Sequence, residues 1–198
     1  RDPLSLHDAL PIWNYMNVLI TGGAGFIGSN FVKYMLKEHT EYNIINLDAL
    51  TYAGNLENLK NIGDNEKYTF IKADIRDKKK IEEVFKEYDI NAVVNFAAES
   101  HVDRSIEEPE VFLTTNVIGT QILLDIAKKN WKLNPQDKHC RKYKAGVNFL
   151  QVSTDEVYGE LGKEGLFVET MPLLPNNPYS ASKASADLMV RDYHETFG

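Results

Sequence analysis

Residues 21–28, TGGAGFIG, constrain this chain more than any other stretch. They follow a compact apolar run, residues 18–21, and open a segment of helical spacing, residues 25–37. A strand that turns at once into a helix needs backbone too tight for a β-carbon, which glycine permits. Gly23, Gly25 and Gly28 match G-x-G-x-x-G, and Gly22 supplies the T-G-G-x-G variant. In this strand–turn–helix context the motif lets the backbone approach a pyrophosphate. The helix N-terminus then offers unpaired N–H groups and a partial positive charge. Asp48 ends the next β-rich run, residues 44–48, twenty residues beyond Gly28. A carboxylate there accepts hydrogen bonds from both hydroxyls of a ribose and repels a 2′-phosphate, so NAD is favoured over NADP. Asp74 and Ile75 end a third such run, residues 68–73, where an adenine edge can be read.

The rest of the chain carries the same alternation. Residues 92–97 (AVVNFA) form a near-continuous apolar strand, as a doubly covered strand requires. Residues 147–152 read as a fifth strand. Helical spacing covers residues 77–88, residues 110–129 and residues 179–196. In the second of these Val117, Ile118, Ile122, Leu123 and Ile126 form the expected apolar face. Residues 131–145 are polar and basic and read as a surface insertion. Strands alternating with helices predict an α/β fold, a Rossmann-type doubly wound parallel sheet.

A second group of residues carries chemistry. Tyr179 and Lys183 form Tyr-x-x-x-Lys, which places both on one helical face. An ammonium near a phenol favours the phenolate and lowers its pKa from about 10, making Tyr179 a base for a sugar hydroxyl. Thr154, Asp155 and Glu156 follow the fifth strand, and ligands of open α/β sheets bind at the carboxyl ends of strands. Thr154 can donate to a reacting oxygen, and the two carboxyl groups can act as separate acid and base. Lys78–Lys80 and Lys128-Lys129 read as solvated helix faces, His101 as a structural histidine or a substrate neighbour, and the isolated His139-Cys140 pair as no metal site.

The segments TGGAGFIGS, LDALTYAGNLENL, AAESHVDRSIEEP, TNVIGT, STDEVYG and PYSASKASAD resemble the extended short-chain dehydrogenase/reductase family. Within it they are similar to the dTDP-glucose 4,6-dehydratases, from about residue 17 to residue 198. The resemblance implies a hydro-lyase in which Tyr179, helped by Thr154 and Lys183, deprotonates the C4 hydroxyl while C4 gives hydride to NAD. Glu156 then removes the C5 proton, Asp155 protonates the departing C6 hydroxyl, and hydride returns to C6. It further implies that Phe26 and Ile27 line the pyrophosphate, Ala97 and Ala98 the cofactor ribose, and Thr51 the adenosine end. Tyr179 and Lys183 also contact the cofactor, Ser100 and Thr154 contact the sugar, and Asn116 stabilises the backbone under the site. The implied partners are a nucleotide-sugar substrate and a second copy of the chain, docked through residues 110–129 and 179–196. Sugar 4-epimerases share the glycines and Tyr-x-x-x-Lys but usually lack the Asp-Glu pair. The rival readings are such an epimerase or a decarboxylase, and a non-enzymatic NAD-binding fragment or regulator.

Bulk properties agree. The net charge of −7 with no dense basic stripe argues against nucleic-acid or anionic-membrane binding. Cys140 is the single cysteine among 198 residues, so a reducing, cytoplasmic setting is expected. Residues 1–15 carry two prolines and no periodicity, and read as a non-native leader ahead of an NAD-binding domain at residues 16–198. A further strand would be expected after residue 198, so the chain reads as truncated before a substrate domain.

Overall fold

A computed structural model describes residues 16–198; the leader expected at residues 1–15 lies outside the described residues. The five strands are β1 (Asn17–Thr21), β2 (Asn43–Asp48), β3 (Tyr68–Lys72), β4 (Ala92–Asn95) and β5 (Asn148–Gln151). All pair in parallel, in the order β3-β2-β1-β4-β5. The order reverses between β1 and β4, the point at which doubly wound sheets open a crevice. The expected Rossmann-type sheet is what the chain forms.

Alternation along the strands divides the core in two. Leu19, Ile45, Leu47 and Val93 face α2 (Lys78–Tyr88) and α5 (Thr120–Trp131). Val18, Ile20, Ile44 and Val94 face α1 (Phe26–Glu38). The α2 N-terminus is capped by Asp77, which accepts from the Lys80 N–H at 3.0 Å. The longest helix, α6 (Pro178–Phe197), starts with a proline in its first turn and a capping box between Asn177 and Ser180.

Residues 110–129 depart from the expected single helix. The segment is split into α4 (Pro109–Phe112), a π-helical stretch (Leu113–Gly119) and α5, and a separate short helix, α3 (Val102–Glu107), precedes it. The wider turn carries an extra residue, which rotates the apolar face. Leu123 and Ile126 keep their expected burial, whereas Ile118 stands 47% exposed. The rotation turns Asn116 inward, where it is buried.

Two more expectations are corrected at the end of α5. Trp131, expected to begin a surface insertion, is buried against Phe85 and donates its indole N–H to the Ile90 carbonyl at 2.7 Å. Lys128 does not lie on a solvated face: its ammonium sits 3.9 Å from the Phe197 ring centroid and pairs with Asp125 at 3.1 Å, joining α5 to α6. Lys129, by contrast, is exposed. Trp131→Ala should cost about 3–5 kcal/mol of stability, and Trp131→Phe, which loses the hydrogen bond, about 1 kcal/mol beyond its packing loss. Urea denaturation checks both; an alanine variant within about 1 kcal/mol of the parent would put Trp131 back on the surface.

Candidate active site

The carboxyl ends of the strands enclose a cleft of about 370 Å³ at the switch point. Its floor is the turn after β1. Gly22 takes a positive φ of 70°, and a β-carbon there would lie 2.6 Å from the Ala97 nitrogen and 2.8 Å from Phe96. A β-carbon on Gly28 would collide with the Gly22 carbonyl. The glycines thus let the turn pack tightly on the end of β4 and on itself, and Gly22, Gly25, Phe26, Ile27 and Gly28 all line the cleft. Phe26 and Ile27 are exposed although apolar, a departure from helical amphipathicity that suits contact with a ligand.

Asp48 closes one end. It is 8% exposed, and its carboxylate accepts from the Ala24 N–H at 2.9 Å and the Leu50 N–H at 2.8 Å. The residue thus braces the glycine turn as well as lining the cleft. Thr51, Asp74 and Ile75 line the same end. Asp74 is clamped by Arg76, whose Nη2 lies 2.6 Å from Oδ2. Burial works against the Asp74 charge, but the hydrogen bonds and charge of Arg76 win and hold its pKa below the usual carboxylate value. Ala97, Ala98 and Ser100, after β4, line the middle.

Tyr179 and Lys183 close the other end from the first turns of α6. Lys183 is 4% exposed, and its ammonium donates to the Val152 carbonyl at 2.6 Å. Burial holds its pKa below the usual lysine value, with Asp187 acting in the opposite sense. The expected depression of the Tyr179 pKa is not what the structure shows. Burial, with the charges of Glu156, Asp155 and Asp187, holds the phenol above its usual value, against a lowering hydrogen bond from Thr154. The ammonium that was to lower it is turned toward the sheet.

Thr154, Asp155 and Glu156 stand beyond the rim of the cleft, on the loop from β5 that Thr154 caps. Asp155 is exposed beside the Thr154 hydroxyl at 3.4 Å, and Glu156 accepts from Asn177 Nδ2 at 3.3 Å. Both carboxylates lie close enough for their charge to act on Tyr179. Asn116 ties the cleft together: it exchanges hydrogen bonds with the Glu99 backbone at 2.8 and 3.0 Å and donates to Ser182 at 2.8 Å. His101 takes the structural role, accepting the Arg104 N–H at the start of α3.

Sequence reasoning missed three residues of this site. Thr115 lines the cleft with a buried hydroxyl that has no partner among the described residues. Arg76 contributes the guanidinium on Asp74. Asp187, one helical turn beyond Lys183, bonds to Ser153 and is pushed upward in pKa by burial. The Asp187 position could have been suspected from its i+4 spacing to the lysine; the other two have no local signal.

The buried lysine gives a signed pH dependence. Unfolded lysine titrates at 10.5, and the folded Lys183 below it. As pH rises through that window the unfolded chain still holds a proton that the folded chain has released, so stability rises. Lys183→Met lacks this gain. Its stability relative to the parent should therefore fall between about pH 7 and about pH 10. Urea denaturation at both values tests this; parallel changes would contradict the assignment of a buried cation.

The chain is similar to proteins of known kind. Residues 19–198 match the GDP-mannose 4,6 dehydratase family. A dTDP-glucose 4,6-dehydratase of Xanthomonas campestris pv. campestris is 50% identical over 180 residues, covering 91% of this chain and 49% of that protein. The crystal structure of a dTDP-glucose 4,6-dehydratase from Bacillus anthracis in complex with NAD superposes with a TM-score of 0.77 at 50% identity, covering 92% of this chain and 51% of that one. A UDP-glucose 4-epimerase from Thermotoga maritima, solved with UDP-glucose, gives 0.76 at 31% identity over 92% of this chain and 52% of that one. The chain spans about half the length of these relatives.

Proposed function

The chain belongs to the GDP-mannose 4,6 dehydratase family, and from there we propose that it is the NAD-binding part, residues 16–198, of a hydro-lyase that converts dTDP-glucose to its 4-keto-6-deoxy derivative. One observation carries the reading. The tight glycine turn, the Asp48 brace and a Tyr179–Lys183 pair share a single cleft, with Asp155 and Glu156 beside the tyrosine. The residues fit a dinucleotide. Gly22 and Gly28 let the turn pack tightly enough to present its backbone to a pyrophosphate, and the unpartnered Thr115 hydroxyl suits a ribose hydroxyl. Asp48 would meet the adenosine ribose, Thr51, Asp74 and Ile75 the adenine side, and Ala97 and Ala98 the nicotinamide ribose. Relatives solved with NAD support the choice of cofactor.

NAD, when bound, supplies a hydride acceptor and a positive ring charge. The protein supplies the rest. Tyr179 takes the proton of the C4 hydroxyl, and Thr154 donates to the same reacting centre. Lys183, anchored on Val152, lines the cleft with the phenol and would contact the cofactor there. The phenol sits above its usual pKa in the structure, so a positive ring beside it works in the direction that the reaction needs. Once C4 is a ketone, Glu156 removes the acidified C5 proton. Asp155 delivers a proton to the C6 hydroxyl, which leaves as water, and the hydride taken from C4 is returned to C6. Ser100, lining the cleft opposite α6, contacts the sugar. Tyr179 and Lys183 serve both the cofactor and the reacting sugar.

The exposed Leu113, Ile118 and Leu188 lie on the π-helical stretch and α6, and support a homodimer joined through these helices. No helix among the described residues is long and apolar enough to cross a membrane, and one unpaired cysteine suits a cytoplasmic enzyme.

Incubation of dTDP-glucose with the complete protein and NAD, followed by mass spectrometry, tests the reading. Loss of one water is expected; an unchanged mass with a new epimer would favour the epimerase instead. In that protein Asp155→Asn should slow elimination about a hundredfold or more while sparing hydride transfer, seen as NADH absorbance that builds up. Equal loss of both steps would overturn the acid role of Asp155.

A further inference from the structure

Two loops border the cleft from opposite sides of the switch point. Residues 49–55 follow β2 and contribute Thr51 and Ala53 to the lining; residues 96–101 follow β4 and contribute Ala98, Glu99 and Ser100. Outside the lining these loops are joined by contacts that the chemistry above does not use. The Arg104 guanidinium lies 4.8 Å from the centre of the Tyr52 ring. Its Nη1 donates to Glu99 at 3.3 Å and its Nη2 to Glu108 at 3.0 Å. The Ser100 N–H meets the Tyr52 hydroxyl at 3.5 Å. Tyr52 itself is 55% exposed, a large ring held over a loop rather than packed in a core.

The arrangement is pre-organised on one side. Glu99 lines the cleft yet is 8% exposed, and a carboxylate so placed needs a charged partner. Arg104 supplies it from α3, whose first turn is fixed by the His101 cap. Two carboxylates set the plane of the guanidinium before any ring meets it, so stacking on Tyr52 freezes little further motion. The opposite side, the loop with Tyr52, rests on this fixed plate. A ligand with one end at Asp48 and the other at Tyr179 must lie across the gap between the two loops.

We propose that Tyr52 and Arg104 form a clasp across the mouth of the cleft that retains a bound dinucleotide. The clasp rests on the NAD reading above. Both are positioning residues, acting on the cofactor through the loops that enclose it. In a reaction that returns its hydride within each turnover, slow cofactor exit costs no rate, and a clasp that re-forms over the loaded cleft slows dissociation.

The test uses the chain itself: NADH is bound, then displaced by excess NAD, and release is followed by nicotinamide fluorescence. Tyr52→Ala and Arg104→Ala should each release NADH about five- to tenfold faster, with association changed less than about twofold. Tyr52→Phe, which keeps the ring, should keep most of the retention. The double variant should release NADH no faster than the faster single variant, because both remove the same contact. Tyr52 is exposed, so its alanine variant stays folded even where loss of Arg104 leaves Glu99 unpaired. Release from Tyr52→Ala within twofold of the parent, or effects that multiply in the double variant, would overturn the clasp alone. A parent chain that binds no NADH would overturn the cofactor reading and the clasp together.

Discussion

No side chain fits where Gly22 meets the backbone of Phe96 and Ala97. That closeness decides the rest of the molecule. It lets the ends of β1 and β4 stand side by side while their loops diverge, one into α1 and the other toward α3, and the divergence is the cleft. The Gly22 N–H is itself bound to the Leu47 carbonyl at 2.9 Å, so the turn is locked to the end of β2. Asp48, the next residue, then reaches back to the Ala24 N–H. Glycine turn, acidic brace and cleft form one mutually dependent unit: moving any of them leaves a buried donor without its partner.

Behind the cleft runs a column of buried polar side chains. Thr21 donates to Asn95, and Asn95 donates to Thr120 at 3.2 Å and to Gln151 at 2.8 Å. The Thr120 hydroxyl donates to the Asn116 carbonyl at 2.7 Å, and Asn116 bridges Glu99 to Ser182 on α6. Each member is paired, and a fully paired polar network fixes geometry more sharply than apolar packing does. The network ties the strand ends, the π-helical stretch and α6 into one body. It explains why α6, which is covered on one side only, still holds Tyr179 and Lys183 in place.

Much of this was legible in residue order. The five strands lie within a residue or two of the runs expected from apolar patterning, because burial on two faces leaves a strong signature. The glycine turn and Asp48 were legible for a different reason, since steric and charge requirements fall on single positions. What stayed hidden depends on partners distant in sequence. The π-helical stretch obeys Asn116 and its contacts with Glu99 and Ser182, and helical periodicity alone has no term for it. Trp131 looked like the start of a polar loop until Ile90 and Phe85 closed on it. Lys128 looked solvated until Tyr193 and Phe197 arrived from α6. The ionisation of Tyr179 was misjudged because spacing within a helix records which groups are near, but not that Lys183 turns away to Val152.

Strand order also has a kinetic meaning. β1, β2 and β3 pair with near neighbours in the chain, whereas the contact between Asn17 and Asn91 spans 74 residues. A closure of that length is slow, since loop entropy is lost before the pairing rewards it. On a ribosome the half with the glycine turn and Asp48 emerges well before α6. The floor of the cleft is thus half built while Tyr179 and Lys183 are still unmade. A nascent chain would pass through a stage that has one wall of its cleft and lacks the other.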